Sequence, residues 1–327
     1  MDRAAAESRQ IWAITAYFNP SKSKRRRINY SQFRSRLCVP LVAVELSFDG
    51  SYELGSGDAD LLIQMTAPTV LWHKESLLNV ALSKVPLDVP HIAWLDCDIW
   101  FERQDWVDAA LAELQTHRVI QLFSDLRHLN AAESLQPDDH ARAALERPAS
   151  SLGIVHVHGR RSTEVMSFAP DKRQLLKTPS FGIAWAAEAA LLRQHSFYDA
   201  MIIGSGDRAM GCAALGTHEA AIARLHLSPG RAAHYLRWAL PYFAAVQGRV
   251  GYIPGSIFHL WHGNLEDRHY NVRHRALAKL DFIPDRDLER TPSGVWRWRN
   301  PTLQVERFFR QYFDARMEDG HKSAGTV

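Results

Sequence analysis

Short apolar runs alternate along this chain with polar segments whose apolar residues recur at helical spacing. Residues 11–18 are almost continuously apolar and stop at Asn19-Pro20, which predicts a buried first strand. The polar stretch after it reads as a loop carrying Lys22, Lys24, Arg25, Arg26 and Arg27, followed by a helix over 30–37. A second strand is expected over 39–46, with Glu45 near its end, and another over 61–65. Residues 72–82 have helical spacing with a polar Asn79 inside the apolar stripe. The run 92–99, bounded by Pro90, predicts a further buried strand whose far end carries Asp96 and Asp98. A helix over 104–116 and a strand over 119–123 follow. Buried runs alternating with helices predict an α/β fold, a mixed and mostly parallel sheet flanked by helices in a single domain.

The second half is less regular. Residues 124–176 are polar with little periodicity and read as an insertion or flap over the site, since long irregular segments in a compact domain are usually functional. His156 and His158 within it read as part of a surface strand. Residues 179–187 are small and apolar, and a helix rich in Ala, Leu and Arg comes next. Gly204-Ser205-Gly206-Asp207 then opens a helix running to Leu215, its glycines allowing close backbone approach to a ligand. A long amphipathic helix over 232–247 precedes a bulky apolar segment containing His259-Leu260-Trp261-His262. The aromatic helix expected over 303–313 is amphipathic, and its expected role is packing on the domain. Natural divisions fall at 1–123, 124–176, 177–275 and 276–327.

Composition narrows the field. With 327 residues, 46% hydrophobic and 23% charged, the chain can bury a large core and is neither a disordered tail nor a coiled coil. A net charge of +3 says little about partners, and aromatic interleaving of the basic stretch is confined to Tyr30 and Phe33, so no nucleic-acid partner is expected. Cys38, Cys97 and Cys212 lie far apart, which argues against a disulfide framework or a Cys-rich metal site. The amino terminus lacks an apolar signal region and no run approaches the roughly 20 apolar residues of a membrane span, so a cytoplasmic location is expected.

Two carboxylates at a strand's carboxyl end sit where ligands bind in open α/β sheets. A hard divalent cation bridges such carboxylates to substrate phosphates, and imidazoles spaced like His259 and His262 suit a transition metal. Each piece also has a plainer explanation. Asp-x-Asp is a common strand-end turn, Asp207 a helix N-cap, a lone histidine a hydrogen-bonded core residue, and Glu45 a packing or salt-bridge partner.

Together, Asp96-Cys97-Asp98, then Phe181-Gly182 through Gly204-Ser205-Gly206-Asp207, then His259-Leu260-Trp261-His262 resemble metal-dependent glycosyltransferases of the GT-A fold. The pattern is most similar to the galactosyl- and N-acetylgalactosaminyltransferase group and covers roughly residues 11–275. The chain departs from that pattern at Ile183, at Ser205-Gly206, and in having no Trp before Gly204, which leaves the donor sugar and acceptor open. The resemblance implies that Asp98, His259 and His262 hold Mn2+ (or Mg2+), with Asp96 contacting the metal or the ribose. It implies that Asp207 takes the acceptor's proton, giving inversion at the anomeric carbon. Tyr17, Asn19, Arg27, Arg34 and Glu45 would line the nucleotide, with Lys74, Asn79, Asp96, Gly182 and Trp185 as further donor-binding residues. The implied donor is a nucleotide-diphosphate sugar, with UDP expected, and the implied acceptor is a glycan or lipid-linked hydroxyl; the aromatic tail, separately, leaves open peripheral association with a membrane face. Residues 1–123 would then be the donor half and 177–275 the acceptor and metal-histidine half.

Other classes compete. A sugar-1-phosphate nucleotidyltransferase needs a Gly-rich basic loop after the first strand, and Tyr17-Phe18-Asn19-Pro20 has no Gly. A metal hydrolase using His259 and His262 leaves the Gly-Ser-Gly-Asp segment unexplained. A non-catalytic carbohydrate-binding protein on the same fold predicts metal binding without turnover.

Overall fold

The computed structural model describes residues 10–134, 149–157, 179–270 and 272–320. In chain order the strands are β1 Ile11–Phe18, β2 Leu41–Ser47, β3 Leu61–Thr66, β4 His91–Leu95, β5 Ile99–Phe101, β6 Val119–Gln121, β7 Asp125–His128, β8 Ala149–Ser150, β9 Ala184–Glu188, β10 Val250–Tyr252, β11 Ser256–His259, β12 Leu288–Arg290 and β13 Trp296–Trp298. Seven of them form the main sheet in the order β10-β6-β9-β4-β1-β2-β3. All neighbouring pairs are parallel except those made by β9, which runs antiparallel between β4 and β6. This is the mixed, mostly parallel α/β sheet expected from the apolar runs.

β1 and β2 are buried along almost their whole length, which is why they read as unbroken apolar runs: a parallel sheet is covered on both faces. The chain moves outward from β1 through β2 to β3, then returns to place β4 on the other side of β1. The crevice at such a reversal, beyond the carboxyl ends of β1 and β4, is the ligand position of doubly wound sheets.

β4 ends at Leu95, one residue before Asp96. The chain turns through Asp96-Cys97-Asp98 and continues as β5, which belongs to a second sheet ordered β5-β11-β7-β8. Ile99 is therefore not the end of the same strand. In that second sheet His259 lies opposite Ile99 on the antiparallel side and His128 on the parallel side, and the Leu260 N–H donates to the Asp98 carbonyl at 2.8 Å. This pairing carries the second half of the chain to the Asp98 turn.

Several expectations need correction. The basic stretch is mostly helix: Lys24–Arg36 form one continuous helix. Lys and Arg are good helix formers, and the Asp319 carboxylate caps the positive end by accepting from the N–H groups of Lys24 and Arg25 at 3.1 and 2.8 Å. His156 sits in a short helix, Leu152–Val157, with its Nε2 3.0 Å from the Gly248 carbonyl, rather than in a surface strand; His158 lies outside the described residues. The hairpin of β12 and β13 was not expected at all.

The aromatic helix spans Leu303–Asp314 and buries Phe309, Tyr312 and Phe313. Its Phe313 ring stacks on Trp72 and meets Phe18 edge-on, both centroids 6.1 Å away, so that end of the apolar face is used in packing. Among the described residues no helix is long and apolar enough to cross a membrane.

Candidate functional site

The turn after β4 opens into a cleft of about 330 Å3 that also takes residues from β11, the Gly204–Asp207 segment and the C-terminal region. Seven arginine and lysine side chains line it against three aspartates, Asp96, Asp98 and Asp207.

Asp98 Oδ2 lies 2.9 Å from His262 Nε2, Asp98 Oδ1 lies 3.6 Å from His259 Nε2, and the two Nε2 atoms are 3.3 Å apart. These three residues could hold a metal ion, and among the described residues they are the only such group. Asp98 Oδ1 is buried without a hydrogen-bond partner, a costly arrangement that a cation relieves. Burial by itself would raise the Asp98 carboxyl. The His262 and His259 imidazoles and the Arg26 guanidinium outweigh it and hold that carboxyl well below the usual range. Burial holds His259 well below the ordinary imidazole value, so it is a neutral ligand at physiological pH. The donor set, two imidazoles and a carboxylate, suits Mn2+ better than Mg2+. Arg268 also donates to His262 Nε2 at 2.9 Å, placing a guanidinium beside these lone pairs that a bound cation would displace.

Two residues that were not expected stand behind the histidines. His128 Nδ1 lies 3.2 Å from His259 Nδ1; with His259 donating that proton, its Nε2 presents a lone pair to Asp98. Glu318 Oε1 lies 3.4 Å from His262 Nδ1, and the same carboxylate meets Arg26 at 3.0 Å and Arg316 at 2.7 Å. Carboxylate partners of metal-binding histidines commonly change metal affinity by about 10- to 100-fold. Glu318→Gln is therefore expected to weaken Mn2+ binding by at least about tenfold, measured by calorimetry, in protein that still melts cooperatively. Unchanged affinity would remove Glu318 from the site.

Asp96 does not join this group. Its Oδ1 lies 2.5 Å from Lys74 Nζ, which also lies 3.0 Å from Asp207 Oδ2. Lys74 neutralises both carboxylates and so takes Asp96 away from the metal triad. Burial still pushes the Asp96 carboxyl up to about 6, against the lowering effect of Lys74. Asp207 occupies the first turn of the helix Gly206–Ala214. Gly182 lies against it: a Cβ there would stand 2.9 Å from Asp207 Oδ2. Gly204 and Ser205 both have positive φ, 87° and 74°, which turns the chain sharply into that helix.

Glu75 lies beneath the turn, 2% exposed, with neither carboxylate oxygen hydrogen-bonded. A Cβ on Gly206 would clash with it, which is why glycine stands there. Burial, then the Asp207 charge, push Glu75 up to about 8, with Lys74 opposing. The native state therefore keeps a proton that the unfolded chain loses near the ordinary glutamate value of 4.5. The resulting stability is fully present below the unfolded value and is lost as pH rises through about 8. Glu75→Gln should flatten the fall in melting temperature between about pH 5 and 8. An identical fall in both proteins would contradict this assignment.

A smaller cavity of about 190 Å3 adjoins β1 and β2 and is lined by Tyr17, Asn19, Glu45 and Glu53. The Glu53 carboxylate, not foreseen, accepts from the Tyr17 hydroxyl at 2.5 Å and from Asn19 Nδ2 at 3.0 Å. Glu45 has little capacity left for a ligand: it accepts from the N–H groups of Glu53 and Leu54 and from Gln64 Nε2, bracing this loop.

Four expected donor-binding residues line neither cavity. Arg27 pairs with Asp58 at 3.0 Å and Arg34 with Asp60 at 3.0 Å, because the helix Lys24–Arg36 turns them toward the loop before β3. Asn79 clamps the Phe197 backbone through both ends of its amide, at 3.0 and 2.7 Å. Trp185 is a core residue, stacked on Trp94 at 6.1 Å and donating to the Phe181 carbonyl at 2.8 Å.

No family model and no curated protein matches this chain. Among solved structures, glucosyl-3-phosphoglycerate synthase from Mycobacterium tuberculosis in complex with Mg2+ and uridine diphosphate aligns at a TM-score of 0.39 and 10% identity, covering 93% of each chain. Residues 1–349 of TarS from S. aureus align at a TM-score of 0.34 and 13% identity, covering 72% of this chain and 70% of that one. At scores this low neither likeness adds to what the chain's own residues show.

Proposed function

We propose that this chain is a metal-dependent glycosyltransferase of the GT-A type, moving a sugar from a nucleotide-diphosphate sugar to a hydroxyl acceptor. The carrying observation is the group of Asp98 with the buried His259 and His262, in the same arginine-rich cleft as a lysine-held carboxylate, Asp207. A Mn2+ or Mg2+ ion on those three residues would neutralise the charge that grows on a departing diphosphate.

The chain's own groups supply the rest. Arg26, Arg268 and Arg316 line the metal end of the cleft and offer donors to phosphate oxygens. The cavity beside Tyr17, Asn19 and Glu53 is the proposed position of the nucleoside, with UDP as the favoured nucleotide. Asp207 takes the proton from the attacking hydroxyl, and Lys74, 3.0 Å away, holds that carboxylate in place. The missing Cβ of Gly182 leaves its Oδ2 room. One base on the acceptor's side of the sugar gives inversion. In this reading residues 1–123 and 177–275 supply the donor and acceptor halves, and the tail 276–327 belongs to the site through Arg316 and Glu318.

Incubation with a panel of UDP- and GDP-sugars, with and without Mn2+, tests the proposal without a known acceptor, because such enzymes hydrolyse their donor slowly. Mn2+-dependent release of one nucleoside diphosphate is expected and names the donor. No release from any of them, together with no donor binding by calorimetry, would leave a metal hydrolase or a binding protein.

A further inference from the structure

The cations of the cleft divide into two groups. At the metal end Arg26 and Arg316 share the Glu318 carboxylate, and Lys74 holds Asp96 and Asp207. Around Asp207 the pattern differs. Arg208 stacks its guanidinium on the Phe181 ring at 4.0 Å and makes no hydrogen bond or ion pair with the described residues. Its nitrogens are not sealed in the protein, so they face the cleft that they line. Arg273 donates to the Tyr312 hydroxyl at 2.8 Å and to Ser205 Oγ at 2.6 Å, both neutral groups. Arg224, at the end of the helix His218–Arg224, adds a third positive charge to the same wall.

These charges repel one another. Burial first, then the Arg224 and Arg273 guanidiniums, push Arg208 down to about 10. Holding the Arg208 guanidinium partly buried beside two other guanidiniums, with no ion pair of its own among the described residues, costs stability, and an incoming anion would relieve that cost.

We propose that the acceptor carries an anionic group, phosphate or carboxylate, which docks against Arg208, Arg224 and Arg273 and brings its hydroxyl to Asp207. The assignment rests on the transferase reading of the same cleft. Arg208 and Asp207 are consecutive in one helical turn, so the anion and the reacting hydroxyl belong to one small molecule or one residue of a polymer. Guanidinium donors match phosphate and carboxylate oxygens, and the paired, bidentate geometry gives position as well as affinity.

The test is calorimetric titration of inorganic phosphate, and separately of acetate, into protein saturated with Mn2+ and UDP, so that the diphosphate end is already filled. Phosphate or acetate is expected to bind with millimolar affinity, and whichever binds tighter identifies the acceptor's anionic group. Arg208→Gln should weaken it at least about tenfold, with Arg208→Lys recovering part of the loss and all three proteins melting cooperatively. If UDP binds but neither anion does, or if Arg208→Gln binds as the wild type does, the acceptor assignment is wrong while the transferase reading stands. If UDP itself fails to bind with Mn2+, the transferase reading falls and the acceptor assignment with it.

Discussion

Asp98→Ala is expected to abolish Mn2+-dependent donor turnover, with a loss of at least about a thousandfold. Asp98 is the one carboxylate in the group that could hold a metal ion, and its neighbours His259 and His262 are both buried beside it. Removing it leaves two imidazoles beside the Arg268 guanidinium, a ligand set with no carboxylate to attract a divalent cation. The diphosphate then leaves without its counter-charge, and several kcal/mol of transition-state stabilisation are lost. Asp98→Asn keeps the shape of the site and should be nearly as inactive, which separates charge from packing. Turnover within about tenfold of the wild type in both variants would show that the metal, if needed, binds elsewhere.

Asp207→Asn is expected to lower turnover by about a hundred- to ten-thousandfold, the range for loss of a positioned general base. The amide oxygen can still accept from Lys74, so the helix start and the cleft should stay intact. Donor and Mn2+ affinity should therefore change little while the maximal rate falls, which a merely structural residue would not produce. Full activity in Asp207→Asn would remove the base from the proposed chemistry and favour a retaining mechanism.

The sheet was largely legible in the sequence because its strands are buried on both faces and stand out as apolar runs. β1, β2, β4 and β6 fall where those runs lie. The group that could hold a metal ion was legible as chemistry, two carboxylates and two histidines at ligand spacing. The choice of Asp98 over Asp96 was not, because it depends on where Lys74 reaches from a different helix.

The residues that line neither cavity share a cause. Arg27, Arg34 and Asn79 were assigned by their place after a strand or in a helix, and helix phase turned each toward a local partner instead. Trp185 lies near the cleft in sequence, but its position opposite Trp94 in the β4–β9 ladder puts it in the core. Glu318 and Asp319 close the site from the far end of the chain, bonding to residues almost three hundred positions earlier. No local pattern announces contacts of that range. Arg208 carried a weaker signal: an arginine directly after a candidate base.

Manganese binding followed by electron paramagnetic resonance tests the central claim most directly, because free Mn2+ gives a strong signal that binding quenches. Wild-type protein should take up about one equivalent, more tightly when UDP is present, and the His259→Ala/His262→Ala variant should leave the free signal unchanged. A wild type that binds no Mn2+ even with UDP, or a variant that binds it equally well, would contradict the account.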